Sequence, residues 1–434
     1  MARMAEPRIL TDDAQRLVGN FFSLSVLQGV NYLLPLITLP YLVRVLGPEK
    51  FGLIAFAQAF IQYFVIFTDY GFNLSATKQI SLHRKSKQKL LEIFSSVMLI
   101  KLSLSILGLI ILCTIVFGLS RFKSDWRLYF LAYGIVIGRV LFPTWFFQGM
   151  EKMQYIAFLN VLAKAIFTIA IFVFIKRSSD YIYVPLINSV GALVSALLAL
   201  ITVKRNFGIS LKGSSLGAGA LFTHFKEGFF VFSSLVFSTI LYVSPTVFIG
   251  IFLSYSTVGF YTMAEKIVSA LKGMISVFNQ TVYPWLSKLY SEKRVQYFRA
   301  WQKCAGASMA LSVLLFLPLF FLGEKLIETL FAENYQYSVN ILRFLSVSLI
   351  LYAIINLLGL LGMLVIGYSK HLAYSQIGPI SLFMVLSPLV LRYCSLSTYI
   401  VFFLLTESGI IVCRLYFLHR KGFLREALVP QANG

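Results

Sequence analysis

Long, almost uncharged apolar runs recur along the chain, each close to the roughly 20 residues that a helix needs to cross a bilayer. They occupy residues 17–43, 51–77, 91–119, 128–148, 155–175, 182–203, 228–252, 258–285, 304–322, 338–368, 372–390 and 399–418. A backbone in hydrocarbon has to satisfy its own polar groups, so only helices and closed barrels span a membrane. Runs of this length predict helices. The expectation is an all-α integral membrane protein with about 12 transmembrane helices. The tenth run covers 31 residues, enough to tilt or to project beyond the bilayer. A mixed polar segment ending at Arg16 leads straight into the first run, which predicts no short cleavable signal.

Composition excludes the soluble alternative. Only 13% of the 434 residues are charged and mean hydropathy is +0.81, whereas a soluble domain carries about 25% charged residues. The net charge of +21 follows from topology. The segments 1–16, 78–90, 149–154, 204–227, 286–303, 369–371 and 419–434 hold 22 Lys and Arg, and the loops on the opposite side hold 9. The positive-inside rule therefore places both termini in the cytoplasm, and nucleic acid is not needed to explain the charge. The basic stretch 83–87 suits contact with the headgroups of membrane lipids.

Two halves are expected. At an offset of 207 residues Gly52 matches Gly259, Ala57 matches Ala264, and Gln58 falls on Glu265; each set opens the second helix of a six-helix half. The longest cytoplasmic loop contains four glycines and lies at mid-chain. The expected organisation is an N-terminal lobe at 1–205, a cytoplasmic linker at 206–227 and a C-terminal lobe at 228–434. Parallel repeats of this kind form a transporter architecture with the substrate path in a central cavity between the lobes.

Polar side chains inside the runs locate that path, because a charge at mid-bilayer costs about 2.5–3.5 kcal/mol on insertion scales and so faces a cavity or a partner. On the second run Gln58, Gln62, Asp69 and Asn73 share one helical face; on the eighth, Tyr261, Glu265, Lys272, Ser276 and Asn279 do. Further deep cations are Lys101, Arg139, Lys164 and Lys266, and Glu407 is a further deep acid. Arg343 and Arg414 lie closer to the interfaces and are expected to snorkel. The deep cations outnumber the deep acids, which suits an anionic substrate. Arg139, Lys164, Lys266, Lys272 and Lys101 are accordingly the candidate substrate-binding residues. Asp69, Glu265 and Glu407 are candidates for ion coupling or charge compensation. Asn31, Pro35, Gln58, Gln62, Asn73, Tyr261 and Pro245 are candidate cavity or gating positions, the prolines because they free backbone groups that a cavity or a neighbour has to satisfy.

Enzyme chemistry has little support. The four histidines fall at loops or helix ends, so a buried acid–base histidine is not expected. No GxxxxGK[ST] phosphate loop is present. The four cysteines are isolated, with no metal-ligand spacing and no disulfide pattern. No cofactor is expected.

Three segments carry a family resemblance: LPLITLPYLVRVLGPEKFG at 34–52, DYGFNLSAT at 69–77 and GFYTMAEKI at 259–267. With the number of spans and the two-lobe organisation, they make the chain resemble polysaccharide flippases of the Wzx type. These belong to the multidrug/oligosaccharidyl-lipid/polysaccharide exporter superfamily. The resemblance implies a bacterial inner-membrane flippase that moves oligosaccharide repeat units, such as those of O-antigen, linked to undecaprenyl pyrophosphate. The movement would run from the cytoplasmic to the periplasmic leaflet by ion-coupled alternating access. A polysaccharide polymerase or chain-length regulator is the implied protein partner. The rival expectation is a multidrug or organic-cation exporter of the same superfamily.

Overall fold

The computed structural model describes residues 6–209, 232, 236–237, 239–331, 336–423 and 426. The expected linker 206–227 and the first part of the seventh run lie mostly outside them. Among the described residues every regular element is helical: α1 (Glu6–Asp69), α2 (Phe72–Leu82), α3 (Lys87–Gly118), α4 (Ser120–Lys123), α5 (Trp126–Leu141), α6 (Thr144–Gly149), α7 (Met153–Phe174), a 3-10 turn (Ser178–Ile182), α8 (Tyr183–Phe207), α9 (Thr239–Phe252), α10 (Tyr255–Glu292), α11 (Arg294–Phe331), α12 (Gln336–Leu358) continued by a π-helical turn (Gly359–Leu364), α13 (Ser369–Tyr393) and α14 (Leu396–Arg420).

Nine helical segments of the described residues are long and apolar enough to cross a membrane. α10 is not one of them although it is 38 residues long. Its polar stripe, with Glu265, Lys266 and Lys272, lowers its hydropathy below that of its neighbours.

Sequence chemistry explains the helix ends. Ser86, Ser254 and Ser395 each accept a hydrogen bond from the backbone N–H three residues on, at 3.4, 3.2 and 3.3 Å, and so cap α3, α10 and α14. α8 ends at Gly208, whose left-handed φ of 63° suits glycine. Inside α1 one residue leaves the helical region: Gly47, at φ 74° and ψ 169°. Pro48 then occupies the first position of the helix that follows, where its missing N–H costs nothing.

Two expected spans are broken. The run 51–77 stops at Asp69, turns through Tyr70 (φ 43°) and Gly71 (φ 75°), and resumes as α2. The run 128–148 stops at Leu141 and resumes after Pro143 as α6. Hydropathy does not register either break, because the turn residues are themselves apolar or small. The short helices α2 and α6 pack on one another: Thr77 Oγ1 donates to the carbonyl of Trp145 at 3.1 Å, and Gly149 gives Ile80 its room. Arg84 donates to the carbonyl of Gly149 at 2.7 Å and pairs with Glu151 at 2.8 Å. Trp145, Phe146, Phe147, Phe94 and Val97 fill the core around them.

The chain forms two compact units, one of residues 1–34 and 57–239, the other of 35–56 and 240–434. Unit 1 holds α2 to α8; unit 2 holds α10 to α14 and, from α1, the stretch around Gly47. In unit 2 the two glycines of the repeat meet. A Cβ on Gly52 would fall on the carbonyl oxygen of Tyr255, and one on Gly259 would fall on that of Pro48. Pro48 and Tyr255 are themselves 207 residues apart, so the contact is reciprocal across the repeat. Small residues allow such close backbone approach between membrane helices.

Gly52→Ala and Gly259→Ala should each lower stability by about 1–3 kcal/mol, the usual cost of overpacking. Gly29→Ala, where a Cβ has open space, should not. Thermal unfolding of the purified protein in detergent would measure both.

Candidate functional site

In unit 1 the broken helices bring charge together. Lys101, on α3, is 1% exposed. Its Nζ lies 2.9 Å from Asp69 Oδ1 and donates to the carbonyl of Arg139 at 3.4 Å. Asp69 is the last residue of α1, and Arg139 lies in the last turn of α5. The last carbonyls of a helix lack intrahelical donors and carry partial negative charge. The ammonium of Lys101 is thus held where two helices end, by a carboxylate and by one of those carbonyls. Asp69 is 30% exposed through its side chain, so the pair is reachable from one side. The Arg139 side chain is exposed, with no ion pair among the described residues. Lys164, on α7, is half-buried. Gln58, Gln62 and Asn73 are all half-buried.

In unit 2 a second pair is more enclosed. Lys272, on α10, is 11% exposed through its side chain, and Glu407, on α14, is fully buried. Lys272 Nζ lies 3.1 Å from Glu407 Oε1 and donates to the hydroxyl of Ser348. That hydroxyl donates in turn to Glu407 Oε2. The rings of Tyr242, Tyr352 and Phe403 face the ammonium at 5.1, 5.3 and 5.9 Å from their centroids. Cations within about 6 Å of a ring are attracted by its quadrupole.

Along α10, Tyr261 and Asn279 are buried, and neither polar atom of the Asn279 amide has a hydrogen-bond partner among the described residues. Ser269 donates to Glu265, and Gln280 donates to Ser276 at 2.9 Å. Lys266 is exposed, with no ion pair among the described residues. Pro245 is buried within α9 and Pro35 is exposed on α1. The side chain of Asn31 lies outside the described residues.

Four of the five candidate cations therefore fall into two groups, with the half-buried Lys164 in neither. Lys101 and Lys272 are bound to Asp69 and Glu407, whereas Arg139 and Lys266 are exposed. Sequence reasoning cannot sort them, since depth along a run says nothing about which acid lies across the bundle. It also misplaced Arg414. Instead of snorkelling, Arg414 is 4% exposed and donates to the carbonyl of Ile355 and, at 3.4 Å, to Ser375 Oγ. Gly359, the first residue of the π-helical turn, leaves room for its guanidinium, which a Cβ there would displace. Ser348, Tyr352, Ile355 and Gly359 share the face of α12 that serves Lys272, Glu407 and Arg414. Their spacing of three and four residues was the available signal.

Replacing Lys101 by Met should lower stability by about 3 kcal/mol, near the lower end for losing one partner of a buried pair, because Asp69 keeps some contact with water. Adding Asp69→Asn should recover most of the loss. Thermal unfolding of the two variants measures the difference.

Residues 17–290, more than half of the chain, match the family model described as "Polysaccharide biosynthesis protein". The chain is 30% identical over 352 residues to a protein of Escherichia coli (strain K12) named "Putative O-antigen transporter", covering 81% of this chain and 84% of that one. A protein of Shigella dysenteriae with the same name is 26% identical over 331 residues, 75% of this chain and 80% of its own. Among solved structures, a multidrug resistance MATE family transporter of the MOP superfamily, in an inward-facing conformation, superposes with a TM-score of 0.66 at 16% identity, over 92% of this chain and 95% of that one. The lipid II flippase MurJ in an inward closed conformation gives 0.66 at 15% identity, over 96% and 90%. At such identities the structures share a fold with this chain.

Proposed function

The chain belongs to the polysaccharide biosynthesis protein family and has the fold of multidrug/oligosaccharidyl-lipid/polysaccharide transporters, and from that premise we propose that it flips undecaprenyl-pyrophosphate-linked oligosaccharide repeat units of O-antigen or a similar surface polysaccharide. The observation that carries the reading is the sorting of its intramembrane charges. Lys101 and Lys272 are engaged by Asp69 and Glu407, while Arg139 and Lys266 keep exposed cationic groups that no acid of the described residues neutralises. An exposed guanidinium or ammonium within a membrane span suits a pyrophosphate or an acidic sugar, and repels an organic cation.

In this proposal Arg139, Lys164 and Lys266 bind the anionic part of the substrate. Asp69, Glu265 and Glu407 serve ion coupling or charge compensation, and Lys101 and Lys272 hold two of these carboxylates. The lobes 1–205 and 228–434, joined by the linker 206–227, alternate access between the leaflets with both termini cytoplasmic. The membrane is the bacterial inner membrane. The flanking polar groups Gln58, Gln62, Asn73 and Tyr261 line the path, with Asn31, Pro35 and Pro245 at its gates. A polysaccharide polymerase or chain-length regulator takes up the product.

The test is complementation of a strain that lacks the gene. Without the protein, lipid-linked repeat units should accumulate on the cytoplasmic leaflet. Arg139→Ala should reduce surface polysaccharide by about tenfold at normal expression, since one charge-assisted hydrogen bond contributes roughly 1.5–3 kcal/mol. Arg139→Lys should retain more. Wild-type polysaccharide from both Arg139→Ala and Lys266→Ala would sink the assignment, and export of cationic dyes by the purified protein would favour the multidrug reading instead.

A further inference from the structure

The enclosure around the Lys272 ammonium is built almost without α10. Tyr242 comes from α9, Ser348 and Tyr352 from α12, and Phe403 and Glu407 from α14, while α10 contributes the lysine. Tyr242 and Phe403 also pack edge to face on each other at 6.3 Å, so two of the walls support one another without the lysine. Ser348 is fully buried, and its hydroxyl bridges the ammonium and the carboxylate. A carboxylate, a hydroxyl and three aromatic faces converging on one point make a receptor for an ammonium ion. Aromatic cages of this kind recognise ammonium ligands elsewhere. A buried carboxylate cannot stay charged in such surroundings without a counter-ion, and here the chain supplies that ion on a flexible four-carbon stem.

We propose that α9, α12 and α14 form a cation-binding site in their own right, selective for a primary ammonium, and that Lys272 is its tethered occupant. The lysine is the plug and the cage is the site. When the side chain is absent, a free alkylammonium of the right length enters and restores the contacts. The inference concerns unit 2 alone and does not rest on what the protein carries. Through this one side chain α10 is fastened to both α12 and α14.

The probe is n-propylammonium, which has the three carbons and the nitrogen that Lys272→Ala removes. In thermal unfolding of the purified protein in lipid nanodiscs, Lys272→Ala should melt several degrees below the wild type. Titrating n-propylammonium chloride should return much of that loss in Lys272→Ala and leave the wild type unmoved. The neutral isostere n-propanol should not substitute for it. Glu407→Gln in the Lys272→Ala background should abolish the amine effect, and Lys272→Met, whose side chain refills the stem volume, should not respond to the amine. If Lys272→Ala cannot be purified alone, extraction with the amine becomes the measurement: monodisperse protein recovered with n-propylammonium and not with n-propanol supports the site. No recovery with either, equal shifts from amine and alcohol, or an equal shift in the wild type would overturn it. Because no readout involves polysaccharide, a failure here leaves the flippase reading untouched, and the reverse holds as well.

Discussion

Inside a bilayer an ionised side chain survives only with a partner or beside a water-filled cavity, and a helix that stops short of the interface survives only if its terminal groups are satisfied. Lys101 meets both demands at once. Its ammonium neutralises Asp69 at the end of α1 and reaches a carbonyl in the last turn of α5, so one side chain secures two helices that stop within their spans. The breaks at Tyr70–Gly71 and at Phe142–Pro143 follow directly on these two helix ends. Beyond them α2 packs against α6, where Trp145 and its neighbours fill the core. Arg139 itself is exposed. It sits in the last turn of a helix, where a cation is favoured by the dipole.

Unit 2 solves the same problem differently. Its counterpart of the broken helix, α10, runs without interruption from Tyr255 to Glu292. Its charges are held by side chains and rings instead of helix ends: Glu407 and Ser348 for Lys272, with three aromatic faces. Among the described residues Arg414 pairs with no carboxylate and relies on the Ile355 carbonyl and Ser375 beside a π-helical turn. The two helices of the repeat nevertheless begin alike. Gly47 and Ser254 lie just outside them, Pro48 and Tyr255 open them, and Gly52 and Gly259 meet reciprocally. The two stretches share this backbone crossing and differ in the charges that follow it.

The amino-acid sequence by itself determined the membrane class, the helical character and the list of charges that lie within the apolar runs. These are properties of local composition and spacing, since hydrophobic length and helical period act within one segment. The family, too, was legible from short motifs near Gly52, Asp69 and Gly259. Tertiary structure alone decided which deep cations are engaged and which stay exposed. Lys101 and Asp69 are 32 residues apart and Lys272 and Glu407 are 135 apart, and nothing local to either member of a pair names the other. It also decided where the helices break, because Tyr70 and Phe142 are as apolar as the residues around them and a hydropathy pattern passes over both. And it turned Arg414 inward, through a glycine on a neighbouring helix whose missing side chain no reading of α14 by itself would reveal.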